Sequence, residues 1–151
     1  MNTTLCYIEK DNQYLMLHRT KKSNDMNKEK WIGIGGKFEK GETAIECVIR
    51  EVKEETGLTI ISPEYRGIIT FNSNIYGTEI MHLFTAKNFT GNINYNCNEG
   101  ELCWVDKDKI YQLNLWEGDK IFLDLLNKER RFFKVQLNYV DDTLKSYKVE
   151  F

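Results

Sequence analysis

The chain of 151 residues is predicted to fold as an α+β or α/β sandwich in one domain, residues 1-151. Extended segments outnumber helical ones and occur on both sides of the first helix. Helical periodicity is confined to two segments, near 43–56 and 116–129. Hydrophobic residues make up 41% of the chain and no repeat or linker-like tract divides it, so a single core is expected.

Composition narrows the classes of function. A formal net charge of −2 and a pI near 5.8 give no general attraction to a nucleic-acid polymer or an anionic membrane. The start MNTTLCYIEK lacks the pattern of a secretory leader, and no run approaches the roughly 20 apolar residues of a membrane span. We therefore expect a cytoplasmic protein with reduced cysteines, of which Cys6, Cys47 and Cys103 are small buried residues.

The first thirty residues indicate a hairpin and a polar loop. The runs LCYIEK and QYLMLHR flank Asp11 and Asn12, which favour a tight turn between two strands. The segment from Arg19 to Lys30 is rich in basic residues and has no apolar period. It is predicted to be a solvated loop; the alternative is a basic lip that faces a substrate.

The first helix is the most strongly specified element. Thr43 and Glu46 match a capping box, and Gly57 follows at a position typical of a left-handed helix end. The spacing predicts a helix over 43–56 whose inward stripe consists of Ile45, Val48, Ile49 and Val52. Before it, WIGI and KFE are predicted to be short strands around the glycine pair at 35 and 36.

The second half alternates strands with one more helix. YRGIITFNSN and EIMHLFTAKNF are predicted to be long strands around a turn that contains Gly77, and ELCWV a further strand. Apolar residues at helical spacing predict a helix over 116–129. The chain should end in a hairpin whose turn is Asp141-Asp142.

Three glutamates of the first helix indicate a metal site. Glu51, Glu54 and Glu55 are spaced i, i+3, i+4, so they share one helix face and repel one another. A hard divalent ion, Mg²⁺ or Mn²⁺, would remove that repulsion. A solvated acidic face is the usual explanation for such a helix, but it leaves the glycine pair unexplained, whereas a free carbonyl at Gly35 would be a further hard ligand.

These residues form a recognisable motif. The pattern is G-x5-E-x7-R-E-U-x-E-E-x-G-U, where U is aliphatic, and every fixed position is matched. The matching residues are Gly36, Glu42, Arg50, Glu51, Val52, Glu54, Glu55, Gly57 and Leu58. Nine fixed positions at fixed spacing make this a specific signal, and the chain is identified by it as a member of the Nudix hydrolases.

The resemblance implies a fold, a reaction and roles for residues. Nudix hydrolases cleave a nucleoside diphosphate linked to another group, and they hold the motif as a loop–helix–loop against a mixed sheet flanked by helices. The implied Mg²⁺ ligands are Glu51, Glu54, Glu55 and the Gly35 carbonyl. Arg50 would orient the helix glutamates, Glu42 would brace the loop, and Lys37 would stabilise charge on the phosphates.

The resemblance also suggests a general base. Glu99 precedes the strand ELCWV, and MutT-type members carry a glutamate in a similar place. Glu99 is thus a candidate base or a further metal ligand, with an ordinary loop acid as the alternative. Glu51 is the rival base.

Beyond the motif, the chain is closest to MutT-like oxidised purine nucleoside triphosphatases. WIGIGGKFEKGET resembles that branch's WxGxGGKxxxGET, and the C-terminal helix and hairpin are similar as well. The likeness implies that Trp116 stacks on the purine, that Asp119 bonds its edge and that Phe71 is a second pocket aromatic. Core packing is the alternative for both aromatics. Arg19, at the start of the basic segment, is a further candidate substrate contact.

Two positions depart from that branch. Ile32 replaces an asparagine that reads the base, and Gly118 replaces the first of two adjacent aspartates. Neither residue offers a side-chain hydrogen bond, so discrimination of an 8-oxo group by that route is lost or moved. The departures concern the choice of base rather than the diphosphate chemistry.

The expected activity is conversion of an oxidised purine nucleoside triphosphate, such as 8-oxo-dGTP, to the monophosphate and pyrophosphate, which sanitises the nucleotide pool. One rival changes the substrate to a canonical nucleotide, ADP-ribose or a dinucleoside polyphosphate. The other rival is a regulatory module that binds a nucleotide without turnover. The protein is expected to be a monomer or a homodimer.

Overall fold

The computed structural model describes all residues, 1–151, and shows eleven strands and two α-helices. The strands are β1 Asn2–Lys10, β2 Gln13–Arg19, β3 Trp31–Ile32, β4 Ile34–Lys37, β5 Thr59–Ile61, β6 Glu64–Ser73, β7 Gly77–Ala86, β8 Asn88–Thr90, β9 Gly100–Asp106, β10 Phe133–Val140 and β11 Thr143–Glu150. The helices are α1 Ala44–Thr56 and α2 Glu117–Lys128, and a short 3-10 helix spans Lys107–Gln112. Neither α-helix has the length and apolar character needed to cross a membrane.

Nine strands form one mixed sheet. Its main path runs β11-β10-β6-β7-β1-β2-β3, with β4 paired to β1 and β9 paired to β2. The β1–β7 and β6–β10 pairs are parallel, and the other pairs are antiparallel. The terminal hairpin is therefore a continuation of the main sheet, because β10 lies beside β6.

The sheet is covered on both faces, one helix on each. Alternating side chains of β1 show this: Tyr7 joins the core cluster that contains Phe122 of α2, and Cys6 joins the cluster that contains Val48 of α1. Alternation along a strand sends neighbouring residues to opposite faces. The architecture is thus the predicted α/β/α sandwich.

Helix α1 begins and ends as its sequence predicts. The Glu46 backbone N–H donates to Thr43 Oγ1 at 3.2 Å, and the Thr43 N–H donates to Glu46 Oε1 at 3.0 Å. Gly57 ends the helix with φ +84°, a conformation that costs glycine least. An N-cap such as Thr43 contributes about 1 kcal/mol to stability.

The inward face of α1 differs from the prediction. The buried residues are Cys47, Val48, Val52 and Thr56, whereas Ile45 is 46% exposed. Compared with the prediction, α1 is rotated about its axis, so that the row of Cys47, Glu51 and Glu55, at i, i+4 and i+8, turns toward the sheet. This rotation carries two glutamates inward, so the apolar stripe and the carboxylates are not on separate sides.

Two further expectations are corrected. The glycine pair lies inside β4 rather than between two strands, and KFE forms no strand of its own, because Gly35 and Gly36 pair with Leu5 and Thr4 of β1. Cys103 is exposed, although it was expected to be buried, and Cys97 is buried. All four cysteines are free thiols.

Candidate active site

Strand β4 leaves space for Glu51, the first of the three helix glutamates at 51, 54 and 55. A Cβ on Gly36 would come within 2.4 Å of Glu51 Cδ, so only glycine leaves room for that carboxylate. Gly35 has a different reason: a Cβ there would lie 1.8 Å from the Thr4 carbonyl oxygen of β1. Gly35 thus permits close pairing of β4 with β1, and Gly36 leaves space for the Glu51 carboxylate.

Arg50 links the helix to the loop before it. Its Nε donates to Glu42 Oε2 at 2.6 Å, its Nη1 to Glu51 Oε1 at 2.8 Å, and its Nη2 to the Lys37 carbonyl oxygen at 3.0 Å. Arg50 Nη1 also lies 3.3 Å from Glu54 Oε2 and 3.4 Å from Glu39 Oε1. The hydrogen bond from Arg50, together with one from the Glu39 backbone, lowers the pKa of Glu42 to about 2. A single guanidinium therefore fixes the loop and orients helix carboxylates.

The three helix glutamates have unequal surroundings. Glu54 is 57% exposed and faces Arg50, whereas Glu51 is 14% exposed. Glu55 is deeper still, and its Oε2 is buried without a hydrogen-bond partner. Burial, followed by the charges of Glu99 and Glu51, raises the pKa of Glu55 to about 9. Burial is also the main cause that raises the pKa of Glu51.

The structure brings Glu99 to the same cluster. The charge of Glu99 raises the pKa of Glu55, although the two residues are far apart in sequence. Arg19 Nη1 lies 2.9 Å from Glu99 Oε2, and Lys22 Nζ lies 3.2 Å from Glu99 Oε1. Arg19 also pairs with Asp25 at 2.7 Å and is only 13% exposed. Arg19 thus holds Glu99, while its contact with substrate stays a prediction.

The chemistry of these donors fits a hard divalent ion. Glu51, Glu55 and Glu99 offer oxygen ligands, and the buried Glu55 oxygen gains a partner if a cation is bound. As the side chains stand, no group of three or more acidic, histidine or cysteine residues is arranged to hold a metal ion. Arg50 pairs with the carboxylates of Glu51 and Glu54, so these side chains must rotate before they can bind an ion. Lys37 is exposed, and its backbone carbonyl accepts the hydrogen bond from Arg50.

The predicted base-binding aromatics also lie together. The Phe71 and Trp116 rings are 6.0 Å apart, edge to face, and each residue is 5% exposed. Tyr139 of the terminal hairpin stacks on Phe71 at 4.6 Å and meets Trp116 at 5.5 Å. Both aromatics belong to the core cluster on the α2 side. Both aromatics are therefore packed in the core, which was the alternative to base binding, and their contact with a base stays a prediction.

Asp119 is buried beside them in the first turn of α2. It is 5% exposed, and burial raises its pKa to about 8, with Lys30 acting in the opposite direction and Glu79 in the same one. Gly118 precedes it, and its N–H donates to the Tyr139 hydroxyl at 2.7 Å. A Cβ at Gly118 would lie 2.5 Å from Leu137 Cδ1. Leu137 and Tyr139 of the hairpin thus fill the space that the missing first aspartate would need at position 118.

The basic loop, residues 20–30 between β2 and β3, contacts both groups of residues. Lys22 meets Glu99, while Asn27 Oδ1 accepts a 2.8 Å hydrogen bond from Trp116 Nε1. Lys30 Nζ lies 4.8 Å above the Trp116 ring. The preferred prediction of a merely solvated loop missed these contacts, although its alternative, a substrate-facing lip, indicated such a place.

The family relationship follows from this geometry and from comparison with known proteins. The NUDIX domain family model matches residues 1–126. The chain belongs to the Nudix family. It is 32% identical over 152 residues to an uncharacterised Nudix hydrolase, YvcI, of Bacillus subtilis, covering 97% of this chain and 92% of that protein. It is 38% identical over 112 residues to the oxidized purine nucleoside triphosphate hydrolase of Danio rerio, covering 71% and 70%.

A solved structure has the same architecture. The MutT protein of Bacillus halodurans superposes with a TM-score of 0.88 at 29% identity, covering 99% of this chain and 97% of that one. The predicted Nudix fold and the likeness to MutT-like proteins are confirmed. The protein is a Nudix hydrolase, an enzyme that hydrolyses nucleoside diphosphate derivatives, and this family generally uses divalent metal ions.

Proposed function

We propose that this Nudix hydrolase is a Mg²⁺-dependent nucleoside triphosphate diphosphatase that acts on oxidised purine nucleotides such as 8-oxo-dGTP. The observation that carries the proposal is the pairing of two features in one domain. Acidic side chains cluster around the buried, unpartnered Glu55 oxygen, and a buried acid, Asp119, follows Trp116 at the start of α2. The relative in Danio rerio, named as an oxidized purine nucleoside triphosphate hydrolase, supports the substrate class.

The proposed ligands of Mg²⁺, or of Mn²⁺ in its place, are Glu51, Glu54, Glu55, Glu99 and the Gly35 carbonyl. When bound, the ion neutralises the phosphates and lowers the pKa of a ligated water. Arg50 holds Glu51 over Gly36, and Arg19 holds Glu99 against Glu55. Lys37 is exposed at the end of β4, where it can meet the negative charge of a leaving phosphate.

Hydrolysis to a monophosphate and pyrophosphate forms one oxygen–phosphorus bond and breaks another. A water oxygen attacks a phosphorus in line with the bridging oxygen between the α- and β-phosphates, and that bridge breaks. The water proton passes to a carboxylate, for which Glu99 and Glu51 are the two candidates. Trp116 and Phe71 fix the base, so the reacting phosphates lie at the carboxylates.

The biological setting completes the proposal. The enzyme is proposed to work in the cytoplasm, as a single domain over residues 1-151, in sanitising the nucleotide pool. Its ligands are free nucleotides rather than nucleic-acid polymers or membranes, and it acts as a monomer or a homodimer. A regulatory module without turnover is disfavoured because every glutamate of the motif is present.

The test is pyrophosphate release with Mg²⁺ across 8-oxo-dGTP, dGTP, 2-oxo-dATP, dATP, CTP, ADP-ribose and a diadenosine polyphosphate, with orthophosphate counted separately. The expected result is the highest kcat/KM for 8-oxo-dGTP, and little activity after Glu55→Gln. Glu101→Gln, an exposed acid on β9, is the matched control and should behave as wild type. A preference for canonical nucleotides or ADP-ribose would contradict the substrate, and tight binding without product would indicate the regulatory module.

A further inference from the structure

We propose that Glu79 of β7 is a specificity-determining residue of the base pocket, where it and Asp119 together select a guanine-type base edge. The inference rests on the proposed function, because it takes Trp116 and Phe71 to receive the base. Neither the motif nor the departures at Ile32 and Gly118 point to Glu79.

Sheet register places Glu79 beside the aromatics. Glu79 is the direct partner of Phe71 in the antiparallel β6–β7 pair, so the two side chains share a face. Phe71 in turn meets the Trp116 ring edge to face at 6.0 Å. Thr3 of β1 donates from Oγ1 to Glu79 Oε2 at 2.7 Å and so fixes the carboxylate. Glu79 is thus an oriented acid on the same face as the pocket aromatics.

The charge of Glu79 reaches Asp119 across this face. The charge of Glu79 is one of the causes that raise the pKa of Asp119, after burial. No hydrogen bond contributes to the pKa of Asp119, although the residue is 5% exposed. A buried carboxyl without a hydrogen-bond partner costs free energy unless a ligand supplies one.

A second polar group at this place is also unpaired. The Tyr7 hydroxyl of β1 is fully buried and has no side-chain hydrogen-bond partner, and the backbone of Gly33 is the polar group that lowers its pKa. Its pKa is raised first by burial and then by the charge of Asp119. Two unpartnered polar side chains on neighbouring elements indicate a site that a polar ligand completes.

The chemistry of an acid pair favours one kind of base edge. Guanine and 8-oxoguanine present two adjacent N–H donors and a carbonyl oxygen. The Glu79 carboxylate oxygens accept from both donors, and a protonated Asp119 donates to the carbonyl oxygen. Adenine presents one amino donor beside a ring acceptor, so one carboxylate oxygen would stay unpaired. A site built for the first pattern rejects the second strongly.

The test separates base recognition from catalysis by using monophosphates. Binding of dGMP and dAMP is measured by calorimetry for wild type, Glu79→Gln and Thr3→Val. Wild type should prefer dGMP by at least about tenfold. Glu79→Gln can keep the Thr3 hydrogen bond but loses the second acceptor, so the preference should fall below about threefold with dAMP affinity unchanged. Thr3→Val should lower the preference partly, because Glu79 loses its orientation.

Kinetics give a second readout. Glu79→Gln should raise KM for dGTP about tenfold while kcat changes little, because the residue contacts the base and not the phosphates. Glu64→Gln, an exposed acid on β6, is the matched control and should leave binding and kinetics unchanged. An unchanged dGMP preference in Glu79→Gln would overturn the inference even if triphosphates are hydrolysed. Absence of any pyrophosphate release would instead overturn the proposed function, and the monophosphate binding would still test Glu79.

Discussion

At the scale of single residues, environment separates side chains that spacing makes equivalent. Glu51, Glu54 and Glu55 occupy one predicted helix face, yet Glu54 is 57% exposed and Glu55 has a buried, unpartnered oxygen. Arg50 accounts for part of this difference, because it draws Glu54 outward while it holds Glu51 over Gly36. The carboxylates thus divide into an inner group near Glu99 and an outer one.

Replacement of Glu54 tests whether the outer glutamate still acts as a ligand. Glu54→Gln should keep the fold and lower kcat by at least about 100-fold, because the change removes one of the proposed charged ligands of the divalent ion. Glu39→Gln is the matched control, since Glu39 is also an exposed partner of Arg50 but is not a proposed ligand. Equal losses in steady-state assays of the two variants would mean that Glu54 acts only through Arg50.

Acid titration tests the ion pair of Glu42. The folded-state pKa of Glu42, about 2, lies below its ordinary value of 4.5. Its ion pair therefore stabilises the fold fully above pH 4.5, and this contribution is lost as the pH falls toward 2. Glu42→Gln should lower the free energy of unfolding at pH 7, and the difference from wild type should shrink below pH 4.5. Urea denaturation across pH measures it, and a constant difference would contradict the assigned cause.

At the scale of elements, the ends of α1 were predictable and its rotation was not. Thr43, Glu46 and Gly57 act on backbone groups within four residues of themselves, so the sequence alone specifies the helix ends. The inward face depends on what lies opposite. Because Gly36 leaves space for the Glu51 carboxylate, the row of Cys47, Glu51 and Glu55 can turn toward the sheet.

The junction of α2 and the terminal hairpin gives a prediction at this scale. Gly118→Ala should destabilise the protein by about 1–3 kcal/mol, because the added methyl meets Leu137 Cδ1 and displaces Tyr139 from its hydrogen bond. Glu117→Ala, an exposed neighbour, is the control and should change stability little. Thermal unfolding compares the two variants. Equal melting temperatures for Gly118→Ala and wild type would show that the junction accommodates the methyl group without loss of stability.

At the scale of the whole molecule, the terminal hairpin is part of the core. The family match ends at residue 126, yet β10 pairs in parallel with β6 and buries Phe133, Val135, Leu137 and Tyr139. The hairpin also supplies Tyr139 to the aromatic group around Trp116. The fold and the proposed base pocket therefore both depend on residues beyond the matched segment.

Two truncations test this dependence. A chain that ends at Glu129 loses β10 and β11 and should show no cooperative unfolding transition, because one side of the α2 core is exposed. A chain that ends at Asp142 loses only β11, most of whose residues are exposed, and should fold with a lower melting temperature. Circular dichroism on heating distinguishes them. A native-like transition for the shorter chain would show that the hairpin is an appendage.

The sequence by itself determined what depends on near neighbours along the chain. It specified the two helices, the hairpin turns at Asp11-Asn12 and Asp141-Asp142, and the motif that assigns the family. Each of these rests on backbone caps, alternation or fixed spacing, so local residues suffice.

Only the tertiary structure decided which of these residues meet. Thr3 and Glu79 are 76 positions apart, and their hydrogen bond exists because β1 and β7 pair in parallel. The register of the β6–β7 hairpin is enough to place Glu79 opposite Phe71, but it does not place Glu79 near Asp119. Burial of Glu55 likewise depends on the distant Glu99 loop. Such contacts come from long-range strand pairing and helix packing, which local patterns do not specify.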